Sequence, residues 1–445
     1  MNAIVLGNGG SGKAAAELLR REGWCVRVLD GDDKWPDGDW NLCVTSPGIP
    51  LDHRWQVSAR NKGIRVVSEL QLGAERFRTM GGRMLAVTGS KGKSSVVKLV
   101  AEAIGGIPCG NYGKPLCEVV FDFMGTDPLD FMGTDPLKMG IDPKKSEKIP
   151  AAVVEVSSFQ LETTDLPPDT FEAAAILNLQ EDHLDRHGSV EVYHALKRRL
   201  LDFATIKIVG TDPSKKGTDP EKSEKKNSEC DLFAGSYFDN PILQNNGKCA
   251  VALMRAYGLP DDIIRAAFAG FVALPHRMQV VGEFDGVTWI DDSKATSISA
   301  LIAGVTMAIS LFSRNSSDFA SFEGSVPVVH EGSVPMVQGS VLKVRLIAGG
   351  LAKGDDPELA ANCLSRGVAK VYLIGHCAVV FERAWRDIVP CEMCGTLEMA
   401  VERARCESQG GDCVLLSPGT ASFDQFKSYG ERGDRFAVLA RRKTS

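Results

Sequence analysis

The stretch from Met84 to Lys98, Met-Leu-Ala-Val-Thr-Gly-Ser-Lys-Gly-Lys-Ser-Ser-Val-Val-Lys, leads an apolar, strand-like run into a Gly/Ser loop that ends in Lys-Ser and continues with helix-forming residues. That order builds a phosphate cradle. Gly89 and Gly92 give the turn its backbone freedom, and the amides opening the next helix face an anion with the positive end of the helix dipole behind them. Lys93 is placed to neutralise the β- and γ-phosphates of ATP, and Ser94 to give a hydroxyl oxygen to the Mg2+ that ATP carries. The loop is shorter than the eight-residue phosphate-loop pattern, because Val87 stands where the first glycine would be. Gly-Lys-Ser also occurs at ordinary strand-to-helix turns, so the flanking apolar run and helical tail carry the nucleotide reading.

Further groups with chemical potential follow at strand ends. Glu155 closes an apolar strand in Val153-Val-Glu-Val-Ser-Ser-Phe-Gln-Leu-Glu162, where an open α/β sheet presents its ligands, and its flanking valines argue against a simply solvated carboxylate. It could hold the magnesium. Asn178-Leu-Gln-Glu-Asp-His-Leu-Asp-Arg-His187 packs acids, bases and imidazoles into one turn, with His183 the better candidate for a metal or phosphate ligand and Asp182 and Asp185 to orient it. Lys197, in Tyr193-His-Ala-Leu-Lys-Arg-Arg199, reads on its spacing alone as an ordinary exposed helix lysine. Farther on, His276-Arg277, Asp291-Asp-Ser-Lys-Ala-Thr296, Gly349-Gly-Leu-Ala-Lys-Gly354 and Ser417-Pro-Gly-Thr-Ala-Ser422 are anion-handling loops at successive strand ends. Together they imply a second substrate.

These residues need a scaffold of alternating strands and helices. Residues 3–6 form a strand, Gly7-Asn-Gly-Gly-Ser-Gly12 a turn, a helical pattern runs through Arg20, and Cys25–Leu29 is a second strand ending at Asp30. This is the layout of a dinucleotide-type Rossmann unit, continued by strands at 42–46 and 64–67, so NAD binding is the runner-up for this block. Strands at 151–156 and 173–178 and a helix from about Val190 to Asp202 follow the phosphate loop; strands at 288–290, 344–347, 371–374 and 413–416 make a third block. Alternation of this kind favours parallel sheets covered by helices. The expected architecture is three consecutive α/β domains, Rossmann-like, P-loop-type and Rossmann-like, over residues 1–81, 82–274 and 275–445.

At 445 residues the chain is too long for one ordinary core. Its 51 Lys and Arg against 57 Asp and Glu, a net charge of −6, argue against nucleic acid as a partner. Of its 12 cysteines only Cys391-Glu-Met-Cys394 has metal-like spacing and no second pair completes a site, so reduced thiols of a cytoplasmic protein are expected. Met1-Asn-Ala-Ile-Val-Leu enters a strand directly, and no apolar run reaches membrane-spanning length, so neither secretion nor membrane spanning is expected. Phe-Met-Gly-Thr-Asp-Pro-Leu recurs at 123–129 and 131–137, Gly-Thr-Asp-Pro at 210–213 and 217–220, and Gly-Ser-Val-Pro at 324–327 and 332–335. The segments 121–149, 210–228 and 313–341 are read as surface loop expansions with little fixed structure.

In their order, Gly89-Ser-Lys-Gly-Lys-Ser-Ser95, Glu155-Val-Ser-Ser-Phe-Gln-Leu-Glu-Thr163, Asp182-His-Leu-Asp-Arg186, Leu274-Pro-His-Arg277, Asp292-Ser-Lys-Ala-Thr296 and Leu416-Ser-Pro-Gly-Thr-Ala-Ser-Phe-Asp-Gln-Phe-Lys427 resemble the Mur ligase family, over nearly the whole chain outside the repetitive loops. The resemblance is to the members that use D-glutamate. It implies a cytoplasmic, monomeric ligase of peptidoglycan precursor synthesis that joins D-glutamate to UDP-N-acetylmuramoyl-L-alanine, using ATP and Mg2+ through an acyl phosphate. By position, Gly89, Ser90, Lys91, Gly92, Lys93, Ser94 and Ser95 match the nucleotide loop, and Asn246, Arg277 and Asp292 match nucleotide-contacting residues. Ser94 and Glu155 match ligands of one magnesium, and His183 and a carbamylated Lys197 serve a second, which reverses the plain reading of that lysine. Ser11, Asp30, Ser46, Asn111 and Ser157 match the UDP-muramoyl site; Lys294, Thr296, Lys353, Ser422, Phe423 and Tyr429 match the amino-acid pocket. Lys91 stands where the family has asparagine, and the segment from Ile206 to Asn246 is short and Lys-rich. A Mur-type ligase for another amino acid, a folylpolyglutamate synthetase-like ligase and a non-catalytic nucleotide-binding protein are the competing readings.

Overall fold

The computed structural model describes residues 1–124, 151–180, 184–211, 229–239, 243–313, 344–352 and 354–442. Each of the three blocks read from the sequence builds its own sheet. The first sheet holds β1 (Asn2–Leu6), β2 (Cys25–Leu29), β3 (Leu42–Thr45) and β4 (Arg65–Ser68) in the order β2-β1-β3-β4, all parallel. Ala3 to Leu6 are fully buried because β1 has a strand on either side, which is why its sequence is an unbroken apolar run. The Gly10–Arg21 helix returns over the sheet and buries Ala14, Ala15, Ala16, Leu18 and Leu19.

The second sheet holds β5 (Arg83–Thr88), β6 (Ile107–Gly110), β7 (Ala151–Glu155), β8 (Phe171–Asn178) and β9 (Ala204–Thr211), parallel and ordered β6-β7-β5-β8-β9. β5 is central, so the loop leaving it emerges between the ends of β7 and β8, the crevice where such sheets bind ligands. The third sheet runs β10 (Gln279–Phe284), β11 (Val287–Asp291), β15 (Cys413–Leu416), β12 (Val344–Gly349), β13 (Val368–Ile374), β14 (Cys391–Gly395), with β10 antiparallel to β11 and the other pairs parallel.

The chain divides into two compact units. One is Met1–Leu232 with Asn245–Ala267 and contains the first two sheets; the other is Phe233–Gln244 with Phe268–Ser445 and contains the third. Within the first unit the two sheets share a hydrophobic core that runs from Ala3 to Ala204. They are also pinned by polar contacts: Ser68 Oγ lies 2.7 Å from Thr164 Oγ1, and buried Glu69 accepts from the Cys117 amide at 2.7 Å.

Two expectations about element bounds need correction. The helix expected to reach Asp202 ends at Arg198, and a 3-10 turn spans Arg199–Phe203. Residues 121–123 complete the Leu116–Phe123 helix, 210–211 complete β9, and 313 ends the Ile298–Ser313 helix, so the repetitive segments begin inside regular elements. Residues 125–149, 212–228 and 314–341 of those segments lie outside the described residues. Cys391 packs into the core on one side of the third sheet and Cys394 into the core on the other, so the Cys-x-x-Cys pair has no common site. Burial pushes both thiols up to about 11, against a reactive role. No helix among the described residues is long and apolar enough to cross a membrane.

Candidate functional site

The phosphate loop spans Gly89 to Gly92 between β5 and the Lys93–Ile104 helix. Gly89 has φ +151° and Gly92 φ +81°, values that glycine alone adopts without strain. The loop is held from behind by the end of β8. The Ser90 amide donates to the Asn178 carbonyl at 3.0 Å, and the Lys91 amide to Asn178 Oδ1 at 2.8 Å. Asn178 Nδ2 returns a bond to the Lys91 carbonyl at 2.9 Å. Ser90 Oγ donates to the Gln180 carbonyl and accepts from the Gln180 amide, at 3.0 and 2.9 Å. Two consecutive loop amides are thereby turned into the protein, leaving the helix-opening amides to meet an anion.

Lys93 Nζ donates to the carbonyls of Gly89 (2.8 Å) and Ser90 (3.1 Å). Lys197 also reaches Gly89, its Nζ 2.9 Å from the same oxygen and 4.7 Å from the centre of the Tyr193 ring. The exposed position read from local sequence is wrong: Lys197 is 2 % exposed, because the Val190–Arg198 helix turns Tyr193, His194 and Lys197 inward. Ser94 and Ser95 are buried in the first turn of the loop helix. Asn246, carried by the Gln244–Tyr257 helix and also buried, accepts from Asn178 Nδ2 at 3.2 Å and packs on Gly92, where a Cβ would stand 2.0 Å from Asn246 Nδ2.

Glu155 is buried, as its valine neighbours imply. Oε1 accepts from Asn111 Nδ2 at 2.8 Å, whereas Oε2 is buried with no hydrogen-bond partner among the described residues. A buried carboxylate oxygen without a donor is costly, and a cation is the partner its chemistry asks for. Ser157 caps the Ser158–Thr163 helix in a reciprocal capping box with Gln160. His183 and Asp182 lie outside the described residues. Arg186 forms a two-pronged pair with Glu162, and His187 sits 3.3 Å from Glu162 and 3.0 Å from Ser158 Oγ, so this end of the polar cluster is structural.

At the first sheet, the glycine turn after β1 backs onto Ser46. A Cβ on Gly12 would stand 1.8 Å from the Gly7 carbonyl and 3.0 Å from Ser46 Oγ, and Ser46 Oγ is itself buried with no hydrogen-bond partner among the described residues. Ser11 opens the following helix at half burial, and Asp30 is exposed at the end of β2.

The second unit carries the remaining candidates at the ends of β11 and β15. Asp291 accepts from His276 Nδ1 at 2.7 Å and from the Ser293 amide at 2.8 Å, and the Asp291 bond raises the His276 pKa. His276 and Met278 have φ +60° and +49°, so Arg277 sits in a backbone bent on both sides of it. Asp292, next to Asp291 in the chain, is buried, accepting from the Met278 amide at 3.3 Å and from Ser417 Oγ at 2.9 Å, and burial pushes its pKa up to about 7. Lys294 Nζ lies 3.9 Å from the centre of the Tyr429 ring. Thr296 is half-buried, Ser422 buried and Phe423 70 % exposed; Lys353 lies outside the described residues.

Arg432, which carries no motif signal, proves central. It is 1 % exposed and ties Ser293 Oγ and the carbonyls of Ser293 and Thr420 together at 2.9, 2.9 and 3.1 Å. In the sequence it stands in Gly430-Glu-Arg-Gly433, where nothing distinguishes it from an exposed arginine.

Comparison with known proteins fits this geometry. Residues 87–231 match the family model described as the Mur ligase middle domain. The chain is 31 % identical to a UDP-N-acetylmuramoylalanine--D-glutamate ligase of Nitratidesulfovibrio vulgaris (strain DP4) over 98 % of this chain and 94 % of that one. It is 30 % identical to the enzyme of the same name from Chlamydia abortus, over 98 % and 96 %. Among solved structures, a UDP-N-acetylmuramate-alanine ligase from Thermotoga maritima shares the fold with TM-score 0.53 at 14 % identity, over 98 % of both chains.

Proposed function

The chain belongs to the Mur ligase family, and on that premise we propose that it is the ATP-dependent ligase that joins D-glutamate to UDP-N-acetylmuramoyl-L-alanine. The observation that carries this reading is the end-to-end match to ligases of that name, over the same span in which Lys93 and Lys197 meet at the Gly89 carbonyl. The proposed domain limits are 1–81 for the UDP-sugar, 82–274 for ATP and 275–445 for the amino acid.

The substrate carboxylate attacks the γ-phosphorus of ATP, giving an acyl phosphate and ADP; the D-glutamate amine then attacks the acyl carbon, expelling phosphate and forming the amide. Lys93 exchanges the carbonyls of Gly89 and Ser90 for phosphate oxygens and follows the charge as it moves to the leaving group, a task of positioning and electrostatics. Ser94 and Glu155 fit a divalent cation, since Glu155 Oε2 is buried without a donor among the described residues, and His183 and Lys197 are the residues proposed for a second. Bound there, magnesium would screen phosphate charge. Lys197 suits that role only after its neutral amine adds to carbon dioxide and sheds a proton, turning a buried cation into a carbamate anion. Asn246, Arg277 and Asp292 are proposed nucleotide contacts. Ser11, Asp30, Ser46, Asn111 and Ser157 are assigned to the UDP-sugar, and Lys294, Thr296, Lys353, Ser422, Phe423 and Tyr429 to D-glutamate, where two lysines suit two carboxylates.

The test is phosphate release from ATP and Mg2+ with UDP-N-acetylmuramoyl-L-alanine, comparing D-glutamate with L-glutamate, glycine, L-lysine and no amino acid. Release that requires both the nucleotide sugar and D-glutamate is the expected result. Release with another amino acid reassigns the specificity, and no release under any combination overturns the reading.

A further inference from the structure

Asn178 carries no assigned role, yet its side chain is the hub behind the phosphate loop. Its carbonyl and Oδ1 accept the amides of Ser90 and Lys91, and its Nδ2 donates both to the Lys91 carbonyl and to Asn246 Oδ1. The backbone there has no slack: a Cβ on Gly89 would lie 3.3 Å from both N and O of Asn178, and one on Gly92 would collide with Asn246 Nδ2. One amide side chain thus does two things. It holds the Lys91 amide inward, beside the Ser90 amide held by the Asn178 backbone carbonyl, and so leaves the helix-opening amides for phosphate. It also holds Asn246 by its oxygen, so that Asn246 presents its Nδ2 toward Gly92.

We propose that Asn178 is a positioning residue of the nucleotide site, setting the phosphate loop and the side-chain orientation of Asn246 as one unit. This rests on the loop being a nucleotide site. Only a side chain with an acceptor and a two-proton donor on one short stem fits. Aspartate keeps the bond from the Lys91 amide but sets a carboxylate oxygen against the Lys91 carbonyl and Asn246 Oδ1; alanine loses every side-chain bond.

The test is titration of the full-length protein with ADP and Mg2+, alongside steady-state kinetics and thermal melting, for wild type, Asn178→Ala, Asn178→Asp, Asn246→Ala and the Asn178→Ala/Asn246→Ala pair. Both Asn178 variants are expected to weaken ADP binding about tenfold or more and to raise KM for ATP, with KM for the other two substrates unchanged. The double variant should bind ADP almost as well as the weaker single, because the two residues act through one arrangement. ADP affinity within about twofold of wild type in both Asn178 variants, or losses that simply multiply in the pair, would overturn the proposal. Variants that do not fold at all would also overturn it, assigning Asn178 to folding rather than to positioning. Wild type that fails to bind ADP would sink the nucleotide reading of the loop itself, a result distinct from bound wild type with unaffected variants.

Discussion

Lys93 and Lys197, more than a hundred residues apart in sequence, donate to one acceptor: their ammonium nitrogens lie 2.8 and 2.9 Å from the carbonyl oxygen of Gly89. Two cations thus share one loop oxygen, and they differ in what else holds them. Lys93 also leans on the Ser90 carbonyl, whereas Lys197 is enclosed against Tyr193. Lys93→Ala should lower kcat by a factor on the order of a thousand, the scale of losing a charge aimed at the transferring group. Its melting temperature should stay close to wild type, since the Gly89 carbonyl keeps its bond from Lys197. Steady-state kinetics and a thermal melt on the same sample check this, and a mildly impaired enzyme would contradict the role.

Lys197→Ala tests the carbamate. It should lose most activity and regain part of it when a short carboxylic acid such as acetate is added, because the acid restores an anion to the space the side chain leaves. Lys93→Ala should show no such rescue. An Lys197→Ala enzyme with near-normal rates, or one that acetate never helps, speaks against carbamylation.

In the second and third sheets the sequence was most readable where strands are central and least where they are edges, although β2 and β4, the edges of the first sheet, were read. β6, β9, β10 and β14, the four strands its patterning did not reveal, are the edges of the second and third sheets among the described residues. An edge strand needs no continuous apolar run, so Ile-Pro-Cys-Gly and Cys-Glu-Met-Cys-Gly look like turns. Among site residues, the loop glycines and Glu155 announced themselves through flanking residues that fix their surroundings. Lys197 did not, because which face of a helix is covered depends on what packs on it. Asn178 and Arg432 were silent for a related reason: their hydrogen bonds reach backbone groups that are remote in sequence.

Gly92→Ala should cost both affinity and stability. The residue's φ of +81° disfavours any side chain, and the new methyl would meet Asn246 Nδ2 at 2.0 Å. Strain of roughly 1–3 kcal/mol is expected in a denaturant midpoint, together with loss of ADP binding as Asn246 is pushed away. Gly105→Ala, at another left-handed position with open space around its Cβ, should lose stability only.

Arg432→Met should destabilise the second unit by about 2–4 kcal/mol, since it strands the carbonyls of Ser293 and Thr420. Burial already lowers the Arg432 pKa to about 10, so a lysine there would be easier to deprotonate and could not reach all of its acceptors. Arg432→Lys should therefore recover only part of the loss in urea unfolding; full recovery would show that charge alone matters.

Glu69 gives the stability a pH dependence with a definite sign. It is fully buried between the first two sheets, where Oε1 accepts the Cys117 amide and Oε2 has no hydrogen-bond partner among the described residues, and burial pushes its pKa up from an ordinary glutamate value to about 7. A carboxyl whose folded pKa is raised holds its proton more tightly when folded. Its contribution is full below the unfolded pKa of roughly 4.3 and falls away as pH rises toward 7. Glu69→Gln keeps an oxygen for the Cys117 amide and cannot ionise. Relative to the variant, wild type should be most stable near pH 5 and lose that advantage by pH 8, by roughly 1.4 kcal/mol for each unit of displacement. Urea midpoints of both proteins at pH 5, 6, 7 and 8 measure the difference directly; a gap that stays constant across the range would mean that Glu69 remains ionised where it is buried.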